Sequence, residues 1–157
     1  MVLRRELEVL ERQQCMALLQ KVRVGRLVFT EHALPVVQPV NFRLWHDDIV
    51  LRVGGGAKLD AAVHNVVVAF EADELDPDLR TGWSVTVVGH AQLITSVDDL
   101  VELSGVFLQP WVEGRRDYFV RILTEQVTGR RMRTPVEATD SGRLSALAPR
   151  GDTASNC

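Results

Sequence analysis

Trp83-Ser84-Val85-Thr86-Val87-Val88-Gly89-His90-Ala91-Gln92-Leu93-Ile94 is the longest strand candidate in the chain, and its reading decides the fold. Thr86, Val88, His90 and Gln92 fall on one side and the apolar residues between them on the other, the two-residue period of a pleated strand. Gly89 inside it predicts a bend or bulge. On its N-terminal side, Glu74-Leu75-Asp76-Pro77-Asp78-Leu79-Arg80-Thr81-Gly82 reads as a polar loop with turn residues. Val66-Val67-Val68-Ala69-Phe70-Glu71 before it is an almost continuous apolar strand. Further back, Leu34 to Leu44 and Ile49 to Val53 are strands joined by the turn Trp45-His46-Asp47-Asp48, and Val24 to Thr30 is another. Glu11 to Val22 carries Cys15, Leu18, Leu19 and Val22 at helical spacing, with Cys15 on the buried face. On the C-terminal side, Ser96 caps a helix over Val97 to Leu108, with Asp98 and Asp99 in its first turn, and Asp117 to Val127 is the last strand. Strands joined by short turns, with few helices, predict a mainly β fold. The expected architecture is a closed or nearly closed antiparallel barrel of six strands with short flanking helices.

The chain has 157 residues, 46% of them apolar and 25% charged, so one domain with a real core is expected. A net charge of −3 gives no basic footprint for nucleic acid. No apolar run approaches the roughly 18–20 residues that span a bilayer, and Met1 to Arg5 does not begin a signal peptide. Cys15 and Cys157 stand far apart, which argues against a structural disulfide and fits a reducing cytoplasm. From Thr134 the residues turn to Pro, Thr, Ser, Gly and Ala. The expected organisation is an ordered domain over 1–133 and a disordered tail over 134–157.

Arg52-Val53-Gly54-Gly55-Gly56-Ala57-Lys58 closes one strand and opens a short helical segment over Leu59 to Val63. Three consecutive glycines let the backbone adopt positive φ and turn several N–H groups into one concavity. Lys58 and Arg52 add cations there, a combination that suits a dianionic phosphomonoester. A flexible turn would use the same glycines.

The four histidines, His32, His46, His64 and His90, show no metal-type spacing; the first two lie in turns and His64 ends a helix. Glu71, Asp73, Glu74, Asp76 and Asp78 read as a solvated acidic loop whose spacing does not match a calcium loop. Ser84 lacks a nucleophile-elbow context and Cys15 lies on an apolar helix face, so nucleophilic catalysis has no support. Gln38-Pro39-Val40-Asn41-Phe42 is a strand with an internal proline, able to offer backbone groups and the Asn41 amide to a heterocycle. Trp83-Ser84 pairs an aromatic surface with a hydroxyl. Trp83 can equally cap the core, and Asn41 can equally satisfy a turn.

The order of these pieces is distinctive: Gly25-Arg26-Leu27-Val28-Phe29, Gln38-Pro39-Val40-Asn41, Gly56-Ala57-Lys58-Leu59, Val68-Ala69-Phe70-Glu71, Gly82-Trp83-Ser84-Val85, Gly89-His90-Ala91, Arg121-Ile122 and Thr128-Gly129-Arg130-Arg131. It resembles the pyridoxamine 5′-phosphate oxidase-like, FMN-binding split-barrel superfamily, in particular the small bacterial flavin-binding proteins related to nitroimidazole-resistance proteins. The resemblance implies a six-stranded split barrel forming a homodimer with FMN in two inter-subunit grooves. It implies that Arg52, Val53, Gly56 and Lys58 lie at the FMN phosphate and that Pro39, Val40 and Asn41 line the isoalloxazine ring. Trp83 and Ser84 would contact the flavin, and Trp111, Arg130 and Arg131 would reach it from the partner subunit. Arg121 would serve the site or a structural ion pair. Gln38 stands where the true oxidases place a phosphate-binding arginine, and the chain lacks their C-terminal arginine-and-histidine motif, so the resemblance implies the cofactor pocket and not vitamin B6 oxidation. The expected activity is a flavin-dependent oxidoreductase acting on a small organic molecule. The alternatives are a flavin carrier or redox sensor without turnover, haem binding with His90 or His64 as axial ligand, and a deazaflavin cofactor.

Overall fold

The computed structural model describes residues 6–106 and 118–134. Along the chain run β1 (Glu6–Leu10), α1 (Arg12–Leu19), β2 (Val24–Glu31), β3 (Leu34–Trp45), β4 (Asp48–Val53), α2 (Ala57–Val63), β5 (Val67–Asp76), β6 (Thr81–Leu93), α3 (Val97–Val106), β7 (Tyr118–Ile122) and β8 (Gln126–Arg133). The strands pair in the order β1-β8-β6-β5-β2-β3-β4-β7, and β6 also pairs with β7. That last pairing closes β6-β5-β2-β3-β4-β7 into an antiparallel six-stranded barrel. Two further strands, β8 and β1, extend the sheet from β6.

The long strand closes the barrel because it changes partners along its length. Gly82 to Val88 pairs with β8, and Ala91 to Leu93 pairs with β7. The switch falls at Gly89, where a Cβ would collide with the carbonyl oxygen of Leu123. Only glycine lets the two backbones approach this closely, so Gly89 has a steric role at the change of partners, while its pairing with β5 runs through without a bulge. Leu123 donates its N–H to the His90 carbonyl at 3.0 Å beside it.

Period-2 alternation sends Leu27, Phe42, Ile49, Leu51, Phe70, Val85, Val87 and Ile122 into the barrel, each buried. Phe42 and Phe70 meet edge to face, 4.7 Å between centroids. Each such side chain stabilises the fold by about 1.5–3 kcal/mol, enough to fix the register, because a one-residue slip would expose a whole row. α1 presses Cys15, Leu18 and Leu19 onto this core, as its spacing predicted. A second cluster of Trp45, Val50, Ile94, Leu103 and Phe119 lies under α3.

Several boundaries differ from expectation. β1 was not anticipated; its Glu/Leu/Glu/Val alternation has modest strand propensity, and pairing with β8 decides it. The expected loop over Glu74 to Gly82 is mostly strand. β5 runs to Asp76 and β6 starts at Thr81, and the turn between them is held by the Asp76 carboxylate, which accepts from the N–H groups of Asp78 and Leu79 at 3.0 Å. The single strand expected over Asp117 to Val127 is two, broken at a corner over Leu123 to Glu125. α1 stops at Leu19, short of Val22. The expected helix over Val97 to Leu108 is observed as α3 to Val106. Trp111 and all of the expected tail except Thr134 lie outside the described residues. Among the described residues no helix is long and apolar enough to cross a membrane.

Candidate functional site

β4 delivers the candidate anion site. Leu51 and Val53 point into the barrel and leave Arg52 on the outer side, across from Phe119 of β7. The chain then turns through Gly55 at φ +128° and Gly56 at φ +82°, a conformation that L side chains rarely adopt. The space around both glycines is open, with nothing within 4 Å of where a Cβ would stand. Backbone freedom, not crowding, is what the glycines supply, and the loop backbone stays approachable. α2 follows at once, with the Asp60 N–H bonded to the Gly56 carbonyl at 3.1 Å. Lys58, in its first turn, lies over a narrow apolar cavity at this end of the barrel with Leu27, Leu51, Val53, Val68 and Val120. Burial among these aliphatic groups pushes its ammonium below the ordinary lysine value. A half-buried cation beside an open glycine turn fits a phosphate ester, because an anion arriving there would restore the solvation Lys58 has lost.

The ring-lining candidates divide by strand parity. Pro39 and Asn41 stand on the outer face of β3, opposite Arg26 and Val24 of β2, while Val40 turns into the core. Ser84 shares that outer face, opposite Arg130 of β8. Trp83, its neighbour, is 7% exposed and packs in the core, so Trp83 and Ser84 reach opposite sides of the sheet. Arg131 follows Trp83 to the inner side, opposite it in register and half-buried. One outer face therefore gathers Pro39, Asn41, Ser84 and Arg130. Arg52 and Lys58 stand at the β4–α2 end, and Trp83, Val40 and Val53 contribute shape from within.

Arg121 is accounted for structurally. It donates to the Asp48 carboxylate at 2.6 Å, and Asp48 also accepts from the Thr124 N–H at 3.2 Å. The Thr124 hydroxyl donates to the Asp47 carbonyl at 2.8 Å and accepts from Arg12 at 2.8 Å. The histidines are engaged too. His90 Nδ1 lies 2.7 Å from Glu125, His64 Nδ1 bonds the Asp60 carbonyl at 2.8 Å, and His46 Nε2 lies 3.3 Å from Glu102. Among the described residues no group of three or more His, Cys, Asp and Glu side chains is placed to hold a metal.

One cluster was not foreseen. Arg26 donates to Glu71 at 3.0 Å and pairs with Asp73 at 3.2 Å. Burial and the neighbouring Asp73 push the Glu71 carboxyl up, and they outweigh Arg26, which pulls it down. Glu71 and Asp73, two apart on β5, were bound to share a face. Their cation became visible only with the β2–β5 pairing, where Arg26 is the register partner of Glu71.

Comparison with known proteins agrees with this geometry. The family model for pyridoxamine 5′-phosphate oxidase matches residues 11–131. An uncharacterized Mycobacterium tuberculosis protein is 41% identical over 140 residues, 83% of this chain and 91% of that protein. The structure of the FAD binding protein from Mycobacterium smegmatis superposes with a TM-score of 0.67 at 36% identity, covering 80% of this chain and all (100%) of that one. A Bacteroides thetaiotaomicron structure, described as a candidate 5-nitroimidazole antibiotic resistance protein, gives a TM-score of 0.62 at 15% identity, with 82% and 89% covered, and shares the fold. With the closed six-stranded barrel and the β4–glycine–lysine turn in place, the chain belongs to the pyridoxamine 5′-phosphate oxidase family.

Proposed function

We propose that this chain binds a flavin through its phosphate and acts as a flavin-dependent oxidoreductase on a small organic molecule. The observation that carries the reading is the convergence of Arg52, the positive-φ glycines and Lys58 at one end of the barrel. FMN is the form proposed, since a single phosphomonoester matches one glycine turn and its cations. The FAD-binding relative supports a flavin, and FAD carries the same FMN moiety. Pro39 and Asn41 are proposed along the ring, with Val40 offering its backbone there, Ser84 and Arg130 reaching it from the outer face, and Arg131 approaching from the inner side of β8. When bound, the flavin supplies the hydride or electron chemistry; the chain's residues bind, orient and shield it. The assembly proposed is a homodimer in which each copy completes the other's groove.

The test is a fluorescence titration of flavin-free protein with FMN and with FAD, followed by assay with a reduced nicotinamide nucleotide. Saturation at one flavin per subunit with turnover supports the enzyme. Saturation without turnover for any donor leaves a carrier, and no saturation by either flavin overturns the reading.

A further inference from the structure

The corner of the sheet where β8 ends carries large apolar side chains in the open. Leu7 of β1, Met132 of β8, Gly82 of β6 and Leu75 of β5 stand in one register row. A Cβ on Gly82 would lie 3.0 Å from Leu75 Cδ2, so the leucine leans over the glycine between it and Met132. Leu7 and Leu75 are 56% and 66% exposed, Met132 is 37% exposed, and Leu79 in the adjoining turn is 64% exposed. Four such groups at one corner exceed the single scattered exposures of an ordinary surface. The corner lies at the end of β5 away from α2, which meets the chain just before β5, where the Val66 N–H donates to the Ala61 carbonyl at 2.9 Å. Its footprint, about 14 Å across three strand spacings and about 7 Å along them, falls far below the roughly 800 Å² per partner of a stable protein interface. It suits a short segment of chain and not a folded partner.

We propose that residues 143–150 of the chain itself seat on this corner. β8 ends at Arg133, directly after Met132, so the chain leaves the sheet beside the apolar row, and residues 135–157 follow the last described residue, Thr134. Among them Arg143-Leu144-Ser145-Ala146-Leu147-Ala148-Pro149-Arg150 is the stretch that brings two leucines together, three residues apart, with a cation at each end and no carboxylate between. Residues 135–142 join it to the corner and span up to about 26 Å when extended, enough to turn back across the row. A segment tethered this closely meets its seat at an effective concentration on the millimolar scale, so a small contact is enough. The charges match as well. From Glu74 to Arg80 the β5–β6 turn carries Glu74, Asp76 and Asp78 against Arg80. The Asp76 carboxylate is taken up by the turn, and among the described residues neither Glu74 nor Asp78 makes an ion pair. Arg143 and Arg150 supply the cations that this turn lacks. Arg130, the nearest cation on the outer face of β8, stands one row further in, opposite Ser84.

Paramagnetic broadening of amide resonances in the full chain tests the proposal, with a nitroxide attached at Ser145→Cys in a Cys157→Ser background. Cys15 is fully buried and stays unlabelled. The amides of Leu7, Leu75, Leu79 and Met132 should lose most of their intensity, while those of Asp98 and Val101 on α3 keep theirs. Adding Leu144→Asp and Leu147→Asp, which alter only the segment, should restore the lost intensity and leave the rest of the spectrum in place. No broadening at the corner, equal broadening on α3, or broadening that survives the two aspartates overturns the seating. A second arm mixes nitroxide-bearing chains with separate isotope-labelled chains that carry no nitroxide. Undiminished broadening at the corner in that mixture gives the seat to the segment of another copy and overturns its placement within one chain.

Discussion

The two ends of β4 are built on opposite principles. At Asp48 the strand begins in a closed polar clasp, where Arg121, the Thr124 backbone and, through Thr124, Arg12 tie together β4, β7, the β7–β8 corner and α1. Just behind it the Trp45 indole donates to Glu102 at 2.8 Å and pins α3. At Val53 the same strand runs into a glycine turn with open space around it and a lysine lying on aliphatic side chains. One end pairs its charges internally, although the buried Arg121 Nε has no hydrogen-bond partner among the described residues, and is spent on stability. The other leaves a cation poorly solvated, a cost that a bound anion would offset. Binding sites are drawn from such under-satisfied regions, held in place by the better-paired ones.

If that contrast holds, damage to the two ends should have different signatures. Asp48→Ala strands a partly buried Arg121 and should lower stability by about 2–3 kcal/mol, read from urea midpoints, with flavin affinity retained below the transition. Loss of flavin binding in a still-folded Asp48→Ala chain would break the comparison. Lys58→Met should do the reverse. Removing a charge-assisted contact to phosphate should weaken FMN binding roughly tenfold to a hundredfold, while stability is unchanged or slightly higher, because a desolvated ammonium has been replaced by a thioether. The pH dependence sharpens this. Lys58 has a lowered folded-state value, so its contribution to stability is present above the unfolded lysine value and is lost as pH falls through the lowered one. The wild-type minus Lys58→Met stability difference should therefore rise with pH across the alkaline range below the ordinary lysine value.

Gly56→Ala should cost about 1 kcal/mol through the positive φ alone, since the space for a methyl is there. A stability unchanged within error would mean the turn is not held at that φ. The smallest effect is expected at Glu102, whose carboxyl is pulled down first by the Trp45 hydrogen bond and then by His46. Its contribution is present above the ordinary carboxylate value and fades as pH falls through the lowered one. Glu102→Gln should flatten a shallow acid-side slope in the urea midpoint.

The open end was legible in the sequence because it is local. Strand, glycines and lysine are contiguous from Arg52 to Lys58, and each residue type declares its backbone or charge role. The barrel strands were legible through their alternation, above all in β6. The clasp was not, because Asp48 lies more than seventy residues from Arg121 and Thr124 and meets them only when β4 pairs with β7. That same clasp, with the Leu123 carbonyl packed against Gly89, creates the corner that divides the expected last strand in two. Trp83 illustrates another limit. Adjacency to Ser84 suggested a joint role, while parity sends the indole inward and the hydroxyl outward. The Arg26–Glu71–Asp73 cluster was not legible: Glu71 and Asp73 were expected in a solvated acidic loop, whereas they stand partly buried on β5 and meet their cation only through the β2–β5 pairing.

The central claim is that the β4–α2 turn holds a flavin by its phosphate, and it is tested most directly by titrating wild type and Lys58→Met with FMN and with riboflavin, which lacks the phosphate. The account predicts that wild type prefers FMN at least about tenfold and that the preference collapses in the variant through loss of FMN affinity, with riboflavin affinity unmoved. Equal affinity of wild type for FMN and riboflavin would contradict it.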